Sequence, residues 1–187
     1  MIDAHAPTFD VTTSHVVAVD ASPDMVLAGL DSLELAEPVA RTIELLGTPH
    51  RVALDPTALT PAHGRERVYG LAWRVGDDDP AERIPARALG AFAEPGYVKV
   101  IWDVRVSHDP DAGTYVSTTT RFVATDEGAR QRLRAAWRVL GPMSADLAKR
   151  ALASIKHVAE RGSEPVAYGS VSGFPAPAAR AALASAA

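Results

Sequence analysis

The chain has no cysteine. That absence removes a disulfide framework, a thiolate zinc or iron–sulfur site and a cysteine nucleophile. Aromatic residues are scarce: three Trp, four Tyr and four Phe, 6% of the chain, so the position of each one matters. No apolar run approaches the roughly 18 to 20 residues of a membrane-spanning helix, and no integral membrane role is expected. The opening MIDAHAPTFDVTT lacks the basic-then-apolar order of a secretory signal, so a cytoplasmic chain is expected. Positive charge is in deficit, with a net of −4, which argues against a nucleic-acid partner. The phosphate-cradling patterns GxGxxG and GxxxxGK[ST] are missing, as is the GxSxG elbow. What is present, 187 residues with 47% hydrophobic and 22% charged, describes one globular domain long enough to bury a core unaided.

Charge is unevenly spread. Residues 1–125 hold 10 Lys/Arg against 18 Asp/Glu, whereas residues 126–161 hold 8 against 4. The basic stretch reads as the solvated face of a helix whose cations complement an acidic body. An anion-binding role is the sharper alternative.

Residues 1–13 lack periodicity and are expected to form a flexible arm. SHVVAVD (14–20) has the apolar, β-branched content of a strand. Ser22 then suits an N-cap, Pro23 the first helical position and Asp24 the positive end of the dipole. A helix is predicted from Pro23 to Leu30 with Met25, Val26 and Leu30 inward. A second is predicted from Glu37 to Leu46. Strands are predicted at Arg51–Leu54, Arg67–Val75 and Ala86–Ala93, with a loop at Gly76–Pro80 between the last two. Tyr97–Val106 alternates, with Val98, Val100, Trp102, Val104 and Val106 on one face. After a hairpin loop at Asp109–Gly113, Thr114–Thr125 alternates again, with Val116, Thr118, Thr120, Phe122 and Ala124 together. These two strands are expected to pair antiparallel with one face buried. Thr125-Asp126-Glu127 opens a long amphipathic helix reaching Arg161, with Leu133, Trp137, Leu140, Leu147, Ala151, Ile155 and Val158 inward. Gly141-Pro142 predicts a kink or break. Residues 162–187, rich in Ala, Pro, Ser and Gly, read as a disordered tail or a short helix.

The order is β-α-α-β(5–6)-α, an α+β helix-grip architecture. A curved antiparallel sheet has one apolar concave face that a long helix can cover, and a straight helix cannot touch a curved sheet everywhere. The segment VVAVDASPDMVLAGL resembles the opening strand and first helix of the START-like helix-grip superfamily (SRPBCC). That group includes lipid-transfer domains, polyketide cyclase/dehydrase-like proteins and relatives of the birch pollen allergen. The segment from EPGYVKVIWDV to ASIKHVAE is similar to the final hairpin and helix of bacterial members. The resemblance spans about residues 12–161, and it implies residues 14–161 as the folded domain. It also implies a pocket between sheet and helix that accepts a hydrophobic small molecule. It carries over no catalytic set.

Candidate pocket-lining residues are Tyr69, Trp73, Trp102 and Phe122 on strands, Trp137 on the long helix, and the polar Thr118 and Thr120 on the concave face. Arg134 and Arg138 flank Trp137, and either would meet a ligand carboxylate or phenolate if it reached the groove. Core packing is the plain alternative for the aromatics, and solvent exposure for the arginines. The six histidines, His5, His15, His50, His63, His108 and His157, lack metal-ligand spacing; surface or local hydrogen-bonding roles are expected, with no metal and no cofactor. Asp77-Asp78-Asp79 lacks the alternation of a calcium loop. Three functions stay open: a binding or carrier module for a hydrophobic small molecule, a polyketide aromatase/cyclase-like enzyme, and an interaction protein whose cavity its own side chains fill, docking a protein partner.

Overall fold

A computed structural model of the chain describes residues 2–32, 64–74 and 86–161. The expected helix Glu37–Leu46, the strand Arg51–Leu54, the loop Gly76–Pro80, His50, His63 and the 162–187 tail lie outside the described residues. The elements in chain order are α1 (Ile2–His5), β1 (Val11–Val19), α2 (Pro23–Ser32), β2 (Glu66–Arg74), α3 (Ala86–Leu89), β3 (Tyr97–Asp109), β4 (Gly113–Ala124) and α4 (Glu127–Arg161).

The four strands form one curved antiparallel sheet in the order β1-β4-β3-β2. The first strand lies beside the last, and the long C-terminal helix packs across the face they share. This is the α+β helix-grip arrangement. The β3–β4 hairpin turns where Asp109 accepts hydrogen bonds from the backbone N–H groups of Asp111 (2.9 Å) and Ala112 (2.8 Å). Gly113 then takes a φ of 91°, a conformation that a side chain would strain.

Alternation places Tyr69, Leu71 and Trp73 of β2, Val98, Val100, Trp102, Val104 and Val106 of β3 and Val116, Phe122 and Ala124 of β4 in one core with α4. The inward stripe of α4 is Ala129, Leu133, Ala136 and Leu140, and then Leu152, Ile155, Val158 and Ala159. Asp126 caps the helix. Its carboxylate accepts from Ala129 N (2.7 Å) and from Gly96 N, and these bonds hold it below the usual carboxylate range. At the other end Glu160 accepts from Asp20 N (2.7 Å), and Lys156 donates to Ala18 O (2.7 Å).

Five expectations are corrected. Residues 2–13 are anchored to the sheet rather than forming a loose arm. Ile2, at 3% exposure, and Ala6 join Val68, Ala72, Leu89, Tyr97 and Ile101 in a second cluster on the outer side of the sheet. Arg121 fastens this segment, donating to Ala6 O (2.6 Å) and pairing with Asp3 (2.7 Å). The expected strand Ala86–Ala93 begins instead as the helical turn α3. Its Ala-Arg-Ala-Leu sequence favours helix, and Leu89 seats over Gly70, where a Cβ would come within 2.3 Å of it. In consequence β3 is buried on both faces from Tyr97 to Val104, not on one. Met25 faces out, 49% exposed, while Val26 and Leu30 are buried as predicted.

The fifth correction concerns α4, which runs unbroken through Pro142. Pro142 and Arg138, whose carbonyl loses its partner, are both exposed. Water can therefore meet that carbonyl, and the packing on both sides of the proline holds the helix together.

Candidate functional site

The strand register turns the concave face into rows. Tyr69, Trp102, Thr120 and Thr13 stand side by side across the four strands, followed by Arg67, Val104, Thr118 and His15. Leu71, Val100, Phe122 and Val11 bound these rows on one side, and Val106, Val116 and Val17 on the other. Thr13, His15, Thr118 and Thr120 thus form a polar patch within an apolar face. Cross-strand neighbours sit about 5 Å apart and alternate residues on one strand about 7 Å apart.

The aromatic candidates are brought together in pairs. Tyr69 stacks on Trp102 at 5.4 Å between ring centres and 17° between planes. Phe122 meets Trp137 edge-to-face at 4.9 Å. Trp73 lies on the same face in the row of Val98 and Ala124. Tyr69, Trp73, Trp102 and Phe122 are buried and Trp137 half-buried. Trp137 lies against its own helix because Gly141 leaves room: a Cβ there would sit 3.1 Å from the indole nitrogen. Arg134 and Arg138 are exposed, and the structure does not bring them to the sheet.

The polar atoms of the patch are unequally satisfied. Thr118 is buried and its hydroxyl donates to Asp103 O at 2.6 Å. Thr13 Oγ1 and His15 Nε2 are buried and have no hydrogen-bond partner among the described residues, and the same holds for Trp73 Nε1. A buried polar atom left unpaired costs on the order of 1–3 kcal/mol, so such atoms ask for an explanation. A strand predicted from Ser14 excludes Thr13 and leaves the side of the sheet that His15 faces unassigned. Carrying the period-two pattern back through Val11, Thr13, His15 and Val17 is the signal that finds them.

Closure along α4 is also unequal. Ala129, Leu133, Ala136 and Leu140 are buried, as are Leu152, Ile155, Val158 and Ala159, but Met143, Leu147 and Ala151 between them are half-buried. On β1, Val11, Thr13, His15 and Val17 are half-buried as well.

The outer face carries a different polar set. Asp103, 3% exposed, accepts from Thr119 N (2.8 Å), with Arg105 3.9 Å away. Burial raises its pKa above the ordinary value. Glu66 accepts from Ile2 N (3.1 Å) and pairs with Arg105 (3.4 Å). This network ties α1 to the sheet and lies across the sheet from the aromatic rows. Among the described residues no three His, Asp or Glu side chains are grouped to hold a metal ion, and no helix is long and apolar enough to cross a membrane.

No protein-family model matches the chain, and no curated protein matches it.

Proposed function

We propose that this chain binds or carries a hydrophobic small molecule, a lipid, polyketide or isoprenoid-like compound, between its sheet and α4, as START-like proteins of the same architecture do. The observation that carries the reading is the half-buried interval of α4 between Leu140 and Leu152. Met143 and Ala151 pack, half-buried, against the core between the two sealed ends of the helix, and Trp137, Val11 and Val17 keep apolar surface accessible beside the same core. A ligand lying there gains about 25 cal/mol for each Å² of apolar surface it covers, over a lining of the apolar-with-few-polar kind.

The test is native mass spectrometry of the protein purified from its own source, followed by denaturing extraction. A stoichiometric apolar adduct is the expected result. A bare mass, with no uptake of the fluorescent probe N-phenyl-1-naphthylamine, would overturn the reading in favour of a filled core.

A cyclase-like reaction is the second reading, favoured by one observation: the patch contains a group able to move a proton, His15. No Asp or Glu occupies a helix-facing position of the four strands, so the described strands offer His15 no carboxylate with which to form an acid–base pair.

A further inference from the structure

From the unpartnered atoms of β1 we infer that the ligand is neutral and carries one hydrogen-bonding oxygen, a hydroxyl or ketone, which docks between Thr13 Oγ1 and His15 Nε2. This inference rests on the binding reading above and adds the chemistry of the ligand's polar end. Thr13 and His15 are two residues apart on β1 and lie on the same side of it, facing Thr120 and Thr118 of β4. Thr118 is already engaged with Asp103 O. Thr13 Oγ1 and His15 Nε2, a hydroxyl oxygen and an imidazole nitrogen, are buried and have no partner among the described residues. A hydroxyl both donates and accepts, and an imidazole nitrogen does either according to tautomer. One ligand oxygen between them satisfies both.

Charge on the ligand is disfavoured by what surrounds the patch. The neighbouring rows are Val11 and Phe122 on one side and Val17 and Val116 on the other. The one cation in these rows, Arg67, stands at the far end of His15's row, with Val104 and Thr118 between them. Its guanidinium donates to Gly64 O at 2.5 Å. A carboxylate beside His15 and Thr13 would be buried far from its countercharge, which is costly. Arg134 and Arg138 are exposed and offer no help. The apolar body of the ligand lies over the remainder of the face, where Trp102 and Phe122 neighbour Thr120 and Val11 across the strands.

The experiment is competition against N-phenyl-1-naphthylamine on the full chain at neutral pH. Three competitors share one ring system: 2-naphthol, 2-methylnaphthalene and 2-naphthoate. The wild type is expected to prefer 2-naphthol over 2-methylnaphthalene by roughly 5- to 10-fold, the yield of one or two net hydrogen bonds, and to bind 2-naphthoate most weakly. In the double variant Thr13→Val/His15→Leu the preference reverses, because the naphthol hydroxyl is then buried unpaired. If the double variant does not fold, as judged by circular dichroism, Thr13→Val alone is expected to reduce the preference. Equal displacement by naphthol and methylnaphthalene in the wild type overturns this inference and leaves the binding reading standing. So does a crystal structure in which an ordered water keeps Thr13 and His15 while naphthol lies elsewhere. Failure of the fluorescent probe itself to bind removes the binding reading, and this inference with it.

Discussion

Replacing Thr13 with valine is expected to stabilise the ligand-free protein. The exchange keeps the shape and the β-branching that a strand favours. In its native place the hydroxyl oxygen is buried without a partner among the described residues, so removing it relieves a penalty of about 1 kcal/mol or more. The methyl that takes its place adds up to about 0.8 kcal/mol of apolar burial. Because Thr13 is only half-buried, the net gain is discounted to about 1 kcal/mol. Thr118→Val is the control. That hydroxyl lies on the same face in the neighbouring row but donates to Asp103 O at 2.6 Å, so its loss is expected to cost about 1–2 kcal/mol. The two variants therefore move in opposite directions. The assay is urea denaturation of protein refolded from denaturant, so that no carried ligand contributes. With a slope of about 1–3 kcal/mol per molar urea, the Thr13→Val midpoint should rise by about 0.5 M and the Thr118→Val midpoint should fall. If Thr13→Val loses stability as Thr118→Val does, the hydroxyl has a partner and the reasoning about the patch is wrong.

Three further outcomes concern the outer face. Asp103 is buried and its pKa is raised, chiefly by burial, so folding pays a penalty that sets in as pH climbs from the unfolded carboxylate range through the folded pKa and is absent in acid. Asp103→Asn should accordingly gain on the wild type as pH rises from acid through and above the ordinary carboxylate range, and denaturation midpoints that track each other across that rise would refute it. Gly70→Ala forces a Cβ to within 2.3 Å of Leu89 and should cost about 1–3 kcal/mol; in the double variant with Leu89→Ala the two losses should be less than additive, as a double-mutant cycle would record. Ile2→Ala should cost about 2–4 kcal/mol in a chemical melt, since Ile2 is 3% exposed, whereas a change near zero would mean that the N-terminal segment is not part of the folded core.

The arrangement of the fold was legible in the sequence wherever a strict period ran long. Tyr97–Val106 and Thr114–Thr125 alternate cleanly, and the structure puts Val98, Trp102, Val116 and Phe122 in the core with α4 as that alternation demands. The long helix was equally readable, with its cap at Asp126. Tertiary packing hid the rest. Ile2 and Ala6 carry no periodic signal, because a four-residue turn held by Arg121 has no period to show. Ala86–Leu89 reads as strand or helix with equal ease, and the fit of Leu89 over Gly70 goes with the helical choice. Trp102 and Phe122 were readable as candidates for the site because alternation fixes their side of the sheet. For Thr13 and His15 the period-two pattern gives only their side of the sheet; that they stand opposite Thr120 and Thr118 depends on pairing between strands more than a hundred residues apart, which leaves no local trace.

The two faces of the sheet differ in how completely they are closed. On the outer face Arg121 pairs with Asp3 and donates to Ala6 O while its Nε has no partner among the described residues, Glu66 meets Ile2 N and Arg105, and Asp103 accepts from Thr119 N. Together with Leu89 and the apolar residues of α1, they close β2 and β3 from outside. On the inner face α4 is closed at both ends, by the Asp126 cap and by the contacts of Lys156 and Glu160 with Ala18 and Asp20. A helix fixed at two ends need not seal its middle, and the half-buried Met143, Leu147 and Ala151 lie in that middle. Unpaired atoms such as Thr13 Oγ1 and His15 Nε2 lower stability by an amount that the well-packed outer face can offset. Such a face is retained at a cost in stability where it meets a ligand. For that reason the sign of the Thr13→Val effect separates a binding face from an ordinary core.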